Sequence, residues 1–170
     1  LVNGADGIGT GWSTSVPNFN PRDIIGGLRA LIDGTEPACL VPWYRGFDGV
    51  IAPADSKGSY ATYGKIVKVD ATTLHISELP VRKWTQEYKE QVLEPLLQGS
   101  GDKAGGGEPA LLELRENHTD TTVAFTLRFA SAAVLNKLEA AGLHKALRAS
   151  ASVCTSNMML FDARGRITRY

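Results

Sequence analysis

Val123, Phe125, Leu127 and Phe129 occupy every second position of the stretch Thr121–Phe129. Successive side chains of an extended strand point to opposite faces, so this spacing defines a strand with one apolar and one solvated side. Such a strand belongs in an antiparallel sheet whose apolar face is covered by other elements. Partner strands are legible nearby. Tyr60–Val69 and Thr72–Ser77 read as two strands joined by a tight turn at Asp70-Ala71, the second alternating Leu74 and Ile76 with polar neighbours. Phe47–Ala52 and Leu111–Leu114 read as shorter strands, and Met158–Phe161 with Gly165–Tyr170 as a closing hairpin around Ala163-Arg164.

Three helices are signalled by their ends. Asn20 suits an N-cap, Pro21 the first helical position and Asp23 the positive first turn, with Gly34 beyond the end. Between them Ile24, Ile25, Leu28, Leu31 and Ile32 recur at helical spacing, a stripe expected to be core. Arg22 and Arg29 lie off that stripe and are expected to be solvated. A second helix starts at Thr85 with Tyr88, Val92 and Leu93 on one side, and Pro95 is expected to limit it. Ser131 caps a third helix bearing Val134, Leu135 and Leu138, which Gly142 ends. The fold class expected is α+β, a mainly antiparallel sheet with three to four helices. Trp43-Tyr44-Arg45, in a loop punctuated by Pro37, Pro42 and Gly46, is expected to seal a core edge. Residues 98–109, QGSGDKAGGGEP, form a low-complexity stretch expected to be a mobile loop; it lacks the GxxxxGK[ST] of a phosphate cradle.

Length and charge bound the function. The 170 residues suit one domain, or one with a small appendage. No apolar run approaches the roughly 20 residues of a bilayer span, and no membrane role is expected. The strand-like opening at Leu1, with no secretory signal, reads as a piece of a longer protein. The 18 basic and 18 acidic side chains balance, which by itself disfavours a dedicated nucleic-acid domain. Residues 141–170 nevertheless set Lys145, Arg148, Arg164, Arg166 and Arg169 against Asp162 alone. Cys39 and Cys154 form no CxxC pair and are expected to be buried free thiols.

The first thirteen residues, LVNGADGIGTGWS, carry glycines at Gly4, Gly7, Gly9 and Gly11 with Ile8 isolated among them. Either distant parts of the fold bury Ile8, or it is presented to something outside. The glycines do not spell a dinucleotide fingerprint and no helix opens on the last of them. Ser13 and Ser15 lack a nucleophile-elbow context. His75, His118 and His144 have no metal-ligand spacing, and no catalytic constellation emerges. What remains is a binding pattern. Ile8 is an apolar wedge, and Arg82-Lys83-Trp84 puts two cations and an aromatic just before a helix N-terminus suited to phosphate. DNA-bending proteins combine cations on the backbone with an apolar side chain between base steps. A buried Trp84 and a packed Ile8 fit the residues equally well.

These residues carry a family resemblance. NGADGIGTGWST followed by VPNFNPRDII resembles the segment downstream of the catalytic tyrosine in eukaryotic-type DNA topoisomerase II. The similarity runs on in order through ISELPVRKWTQEYKEQVLEPLL, HTDTTVAFTL, GLHK and NMMLFDARGRITRY, and is weakest at 55–72 and 98–112. The resemblance implies the end of a winged-helix region with its connecting helix over 1–34, and a tower (shoulder) domain over 35–170. It implies an ATP-dependent type IIA enzyme that cuts one duplex, passes another through and reseals the break. Ile8 matches the isoleucine that intercalates and bends the gate duplex, and Trp84 a tryptophan that contacts DNA. Arg82 matches a family arginine, while Lys83 stands where threonine is common. The nucleophilic tyrosine, the magnesium-binding carboxylates and the ATP domain are implied to lie upstream, so no catalytic, cofactor or metal residue is expected here. The implied partners are double-stranded DNA and, for the parent, a second copy in a homodimer; the implied location is the nucleus or an organelle. The competing reading is a non-catalytic scaffold that braces other parts of a protein.

Overall fold

The computed structural model describes residues 1–56, 58–99 and 110–170. Most of the expected glycine-rich loop, residues 100–109, lies outside the described residues. The chain divides into two compact units: residues 1–47, 51–61 and 152–170 form the first, and residues 48–50 and 62–151 the second.

The first unit opens with an antiparallel hairpin of β1 (Ala5–Gly9) and β2 (Trp12–Val16). What reads as a glycine loop in sequence is therefore largely a strand. Only Gly4 and Gly11 of the four take positive φ, and a methyl on Gly4 would collide with the Val16 carbonyl and Asn18. Helix α1 (Pro21–Ile32) follows, with the Asn20 side chain accepting from the Arg22 N–H as expected of a cap. Its apolar stripe is not core. No α1 residue is buried, and Leu28, Leu31 and Ile32 are 55, 60 and 84 % exposed. Helical spacing tells which side chains share a face; what covers that face is set elsewhere. Phe19 and Pro42 are buried and joined by an isolated bridge, while Trp43 is exposed and Tyr44 half-buried, so the loop seals a core edge chiefly through Pro42. A second hairpin, β10 (Met159–Phe161) with β11 (Ile167–Arg169), closes the chain where the turn residues place it.

A three-stranded sheet runs in the order β3 (Val50–Pro53), β4 (Ser59–Tyr63), β9 (Ser150–Cys154). The long strand expected over Tyr60–Val69 is two strands, β4 and β5 (Lys65–Lys68), broken at Gly64. There the backbone passes so close to the Glu78 carbonyl that no Cβ fits, and Gly64 exchanges bonds with Ala149 and His144. The cysteines also differ from expectation: both are free but exposed. In β9 the alternation gives the buried position to Val153 and turns Cys154 outward.

The second unit is built on a four-stranded antiparallel sheet in the order β5, β6 (Thr73–Glu78), β8 (Phe125–Phe129), β7 (Leu111–Glu116). Asp70 shapes the β5–β6 turn by accepting from the Thr72 N–H. Phe125, Leu127 and Phe129 are buried on one face with Leu74 and Ile76 of β6, as the alternation requires. Tyr88, Val92 and Leu93 of helix α2, which spans 85–97, join this core, as does Leu135 of α3 (Ala132–Ala141). Pro95 does not stop α2. A π-helical turn, Lys89–Leu93, precedes it and lets the helix run on to Leu97, because widening the turn relieves the proline's clash with the preceding carbonyls. Ser131 and Gly142 cap α3 as expected. A short helix α4 (Leu143–Ala146) follows, bringing the helical segments among the described residues to four.

Candidate nucleic-acid interface

Ile8 sits in β1 opposite Ser13, one residue pair from the tight end where Gly9 faces Trp12. It is 96 % exposed, so no part of the described chain buries it. The hairpin that carries it is fixed by polar contacts within its unit. Ser15 donates its N–H to the Asn157 carbonyl at 2.8 Å, Met159 donates to the Thr14 Oγ1 at 3.0 Å, and Asn157 Nδ2 donates to the Ser13 Oγ at 3.1 Å. Asp6 accepts from the Ser15 hydroxyl at 2.6 Å. A rigidly held strand with a bare apolar tip is suited to pressing that tip into another surface. Beside it, Gly7, Ile8, Trp12, Met159, Phe161 and Ile167 line an apolar groove of about 270 Å³.

Arg82, Lys83 and Trp84 lie in the second unit, on the turn that leads into α2. Lys83 donates its N–H to the Pro80 carbonyl, and Arg82 takes the left-handed conformation at φ 68°. Trp84 is the N-cap residue and is 76 % exposed, contrary to the buried alternative. The Lys83 ammonium donates to the Arg148 carbonyl at 2.8 Å and stands 5.9 Å from the Tyr88 ring centroid. Tyr88 in turn donates its buried hydroxyl to the Leu147 carbonyl at 2.8 Å, and burial pushes its phenol well above the usual range. Lys83 and Tyr88 thus tie the start of α2 to the turn after α4. Ile8 belongs to the other unit.

The rest of the basic stretch is partly committed to structure. Arg166 pairs with Asp162 at 2.9 Å, and Arg169 donates to the Ser156 carbonyl at 2.7 Å. The Arg166 and Arg164 N–H groups, led by Arg166, hold the Asp162 carboxyl below the usual range. Each histidine has a local partner: His75 meets Thr126 at 3.4 Å, His118 meets Glu116 at 3.9 Å, and His144 meets the Gly64 carbonyl at 2.8 Å. Among the described residues no group of three or more His, Cys, Asp or Glu is placed to hold a metal ion. No described helix is long and apolar enough to cross a membrane.

Sequence reasoning misses α4 and β9, and with them the position of Arg148. The signal there is weak, because four helical residues after Gly142 show no periodicity and an arginine stands where a cap glycine is usual.

An α+β architecture with these elements recurs in a solved topoisomerase II structure. It matches the DNA-binding, cleavage and re-ligation domain of Plasmodium falciparum topoisomerase II with a TM-score of 0.87 and 39 % identity, over 100 % of this chain and 22 % of that one. The DNA gyrase/topoisomerase IV family (its A-type subunit) matches residues 1–170, and the chain belongs to it. Among curated relatives, DNA topoisomerase 2-alpha of Mus musculus is 44 % identical over 171 residues and that of Homo sapiens 44 % over 170. DNA topoisomerase 2 top-2 of Caenorhabditis elegans is 41 % identical over 170 residues. Each covers 100 % of this chain, which spans 11 % of the length of these relatives.

Proposed function

We propose that this chain is the DNA-binding and DNA-bending part of a type IIA DNA topoisomerase, an isomerase that breaks, passes and rejoins duplex DNA. Residues 1–34 are assigned to the end of the winged-helix region and its connecting helix, and 35–170 to the tower. The observation that carries the reading is Ile8, an aliphatic side chain 96 % exposed on a polar-braced hairpin of a topoisomerase-family chain. Ile8 supplies the wedge that unstacks one base step, and Trp84 and Arg82 supply aromatic and cationic contacts to the flanking duplex. Lys83 adds charge to the same stretch with one N–H already donated. The nucleophilic tyrosine, magnesium and ATP belong, in this reading, to the longer enzyme, which works as a homodimer in the nucleus or an organelle. No residue of this chain is assigned to hold either cofactor.

A second reading is favoured by α1, whose exposed Leu28, Leu31 and Ile32 form an uncovered apolar stripe. A scaffold that braces other protein would use such a face. Titrating a labelled duplex with the chain over a series of salt concentrations separates the two. DNA binding gives log K falling linearly with log salt, through release of counterions from the phosphates. A flat dependence, or no binding, rejects the DNA reading in favour of the scaffold.

A further inference from the structure

Ile8 is carried by a two-stranded hairpin, and such a hairpin is marginal in water when it stands alone. With 96 % of its surface exposed, Ile8 also has almost no packing of its own to set its direction. Much of what steadies it comes from one residue near the far end of the chain. Asn157, between β9 and β10, meets three consecutive residues of β2. Its carbonyl accepts from the Ser15 N–H at 2.8 Å and from the Thr14 hydroxyl at 3.5 Å. Its side-chain amide donates to the Ser13 Oγ at 3.1 Å. Ser13 is the cross-strand partner of Ile8, and directly paired residues of an antiparallel ladder carry their side chains on one face. The Ser13 hydroxyl therefore stands beside the Ile8 side chain, and the Asn157 amide fixes it there. The next pair on that face, Asp6 and Ser15, is closed by its own bond at 2.6 Å. Ile8 thus projects from among neighbours that are each tied.

We propose that Asn157 is a positioning residue for the wedge: without itself touching DNA, its amide acts through Ser13 to keep Ile8 aimed while the duplex resists unstacking. The proposal rests on the DNA-bending reading and names a residue on which the bending depends. The two parts of Asn157 have separable effects. Its carbonyl bonds fix the course of β2 and, being backbone, survive substitution of the side chain. Only the amide reaches the neighbour of Ile8, so truncating it loosens the wedge while the hairpin stays docked. That change alters no charge, so attachment to the phosphates is untouched.

The test is end-to-end energy transfer in a doubly labelled duplex of about 30 base pairs, saturated with the 170-residue chain. Anisotropy titrations across a sodium chloride series and thermal melts run alongside. Asn157→Ala lowers the bent-to-straight ratio about fivefold, the worth of one exposed side-chain hydrogen bond. The slope of log K against log salt does not change, and the melting temperature stays within a few degrees. Ser13→Ala removes the other partner and gives the same loss, and combining the two adds nothing. In an Ile8→Ala background Asn157→Ala has no further effect on bending, because it acts only through that side chain. Unchanged energy transfer for Asn157→Ala, where Ile8→Ala straightens the duplex, overturns the positioning role and leaves the bending reading intact. A further loss in the Ile8→Ala background overturns action through the wedge. A parent chain that binds without bending overturns both readings. If Asn157→Ala melts many degrees lower, Ser13→Ala carries the test, and an unchanged ratio there overturns the proposal.

Discussion

Replacing Ile8 by alanine separates binding from bending. The substitution removes three carbons from a side chain that is 96 % exposed, so almost no burial within the protein is lost. Only the strand preference of a β-branched residue opposite Ser13 is affected, which keeps the stability change below about 1 kcal/mol. In a bent complex the same three carbons leave water between base pairs. At about 0.8 kcal/mol per buried methylene they contribute roughly 2.4 kcal/mol. In the proposed complex that is comparable with the 1–6 kcal/mol elastic cost of bending a short duplex, so losing the wedge is large enough to tip a balance that the flanking contacts also set. Its loss shifts the bent-to-straight ratio about 50-fold. Ile8→Val, which removes one methylene, shifts it about fourfold by the same arithmetic. The assay is end-to-end energy transfer in a doubly labelled duplex at saturating protein, with binding measured separately. Unchanged energy transfer for Ile8→Ala, or equal effects of valine and alanine, refutes the wedge. A melting temperature many degrees lower refutes the claim that Ile8 has no structural role.

Three further outcomes are expected. Tyr88→Phe removes the bond to the Leu147 carbonyl and leaves that acceptor unmade in a buried site, costing about 1–2 kcal/mol and lowering the melting temperature by a few degrees in calorimetry. Gly64→Ala drives a methyl against the Glu78 carbonyl and destabilises by at least about 2 kcal/mol in denaturant unfolding, whereas Gly26→Ala, with open space around it, does not. Asp162 is held below the usual carboxylate range by the Arg166 and Arg164 N–H groups and the Arg166 guanidinium, so its stabilising effect is present above the unfolded value and lost as pH falls through the lower folded one. Protection of the β10–β11 amides, relative to their intrinsic exchange at each pH, should therefore fall below about pH 4, and Asp162→Asn should show the lower protection already at pH 7.

The second unit is legible because its signals are local and agree with one another. Period-two apolar residues in Thr121–Phe129, an Asx turn at Asp70 and a serine cap at Ser131 each specify one conformation; the turn and cap appear, and the strand forms from Phe125, with Val123 before it packed half-buried against the same core. The misreadings share a different cause, since each depends on something remote in sequence. Nothing near Gly64 announces that the Glu78 backbone lies against it, so two strands read as one. The Ile24–Ile32 stripe is a correct statement about one face of a helix. Whether that face is covered depends on chain packed against it, which no periodicity encodes. Residue type alone puts Cys154 in the interior, whereas the pleat gives the inward place to its neighbour Val153.

The candidate site shows the same division in sharper form. Ile8 and Trp84 stand out in sequence as large apolar residues in places with no evident core to join, and both are exposed. What spacing leaves open is the choice between exposure and burial, because an isolated aliphatic residue among glycines is consistent with either. Arg148 is visible in sequence only as one charge in a basic stretch, 65 residues from Lys83, whereas the fold joins the two turns through the Lys83 ammonium and the Arg148 carbonyl. A sequence records that a cation is present; which backbone it holds depends on a turn remote in sequence that no local pattern announces.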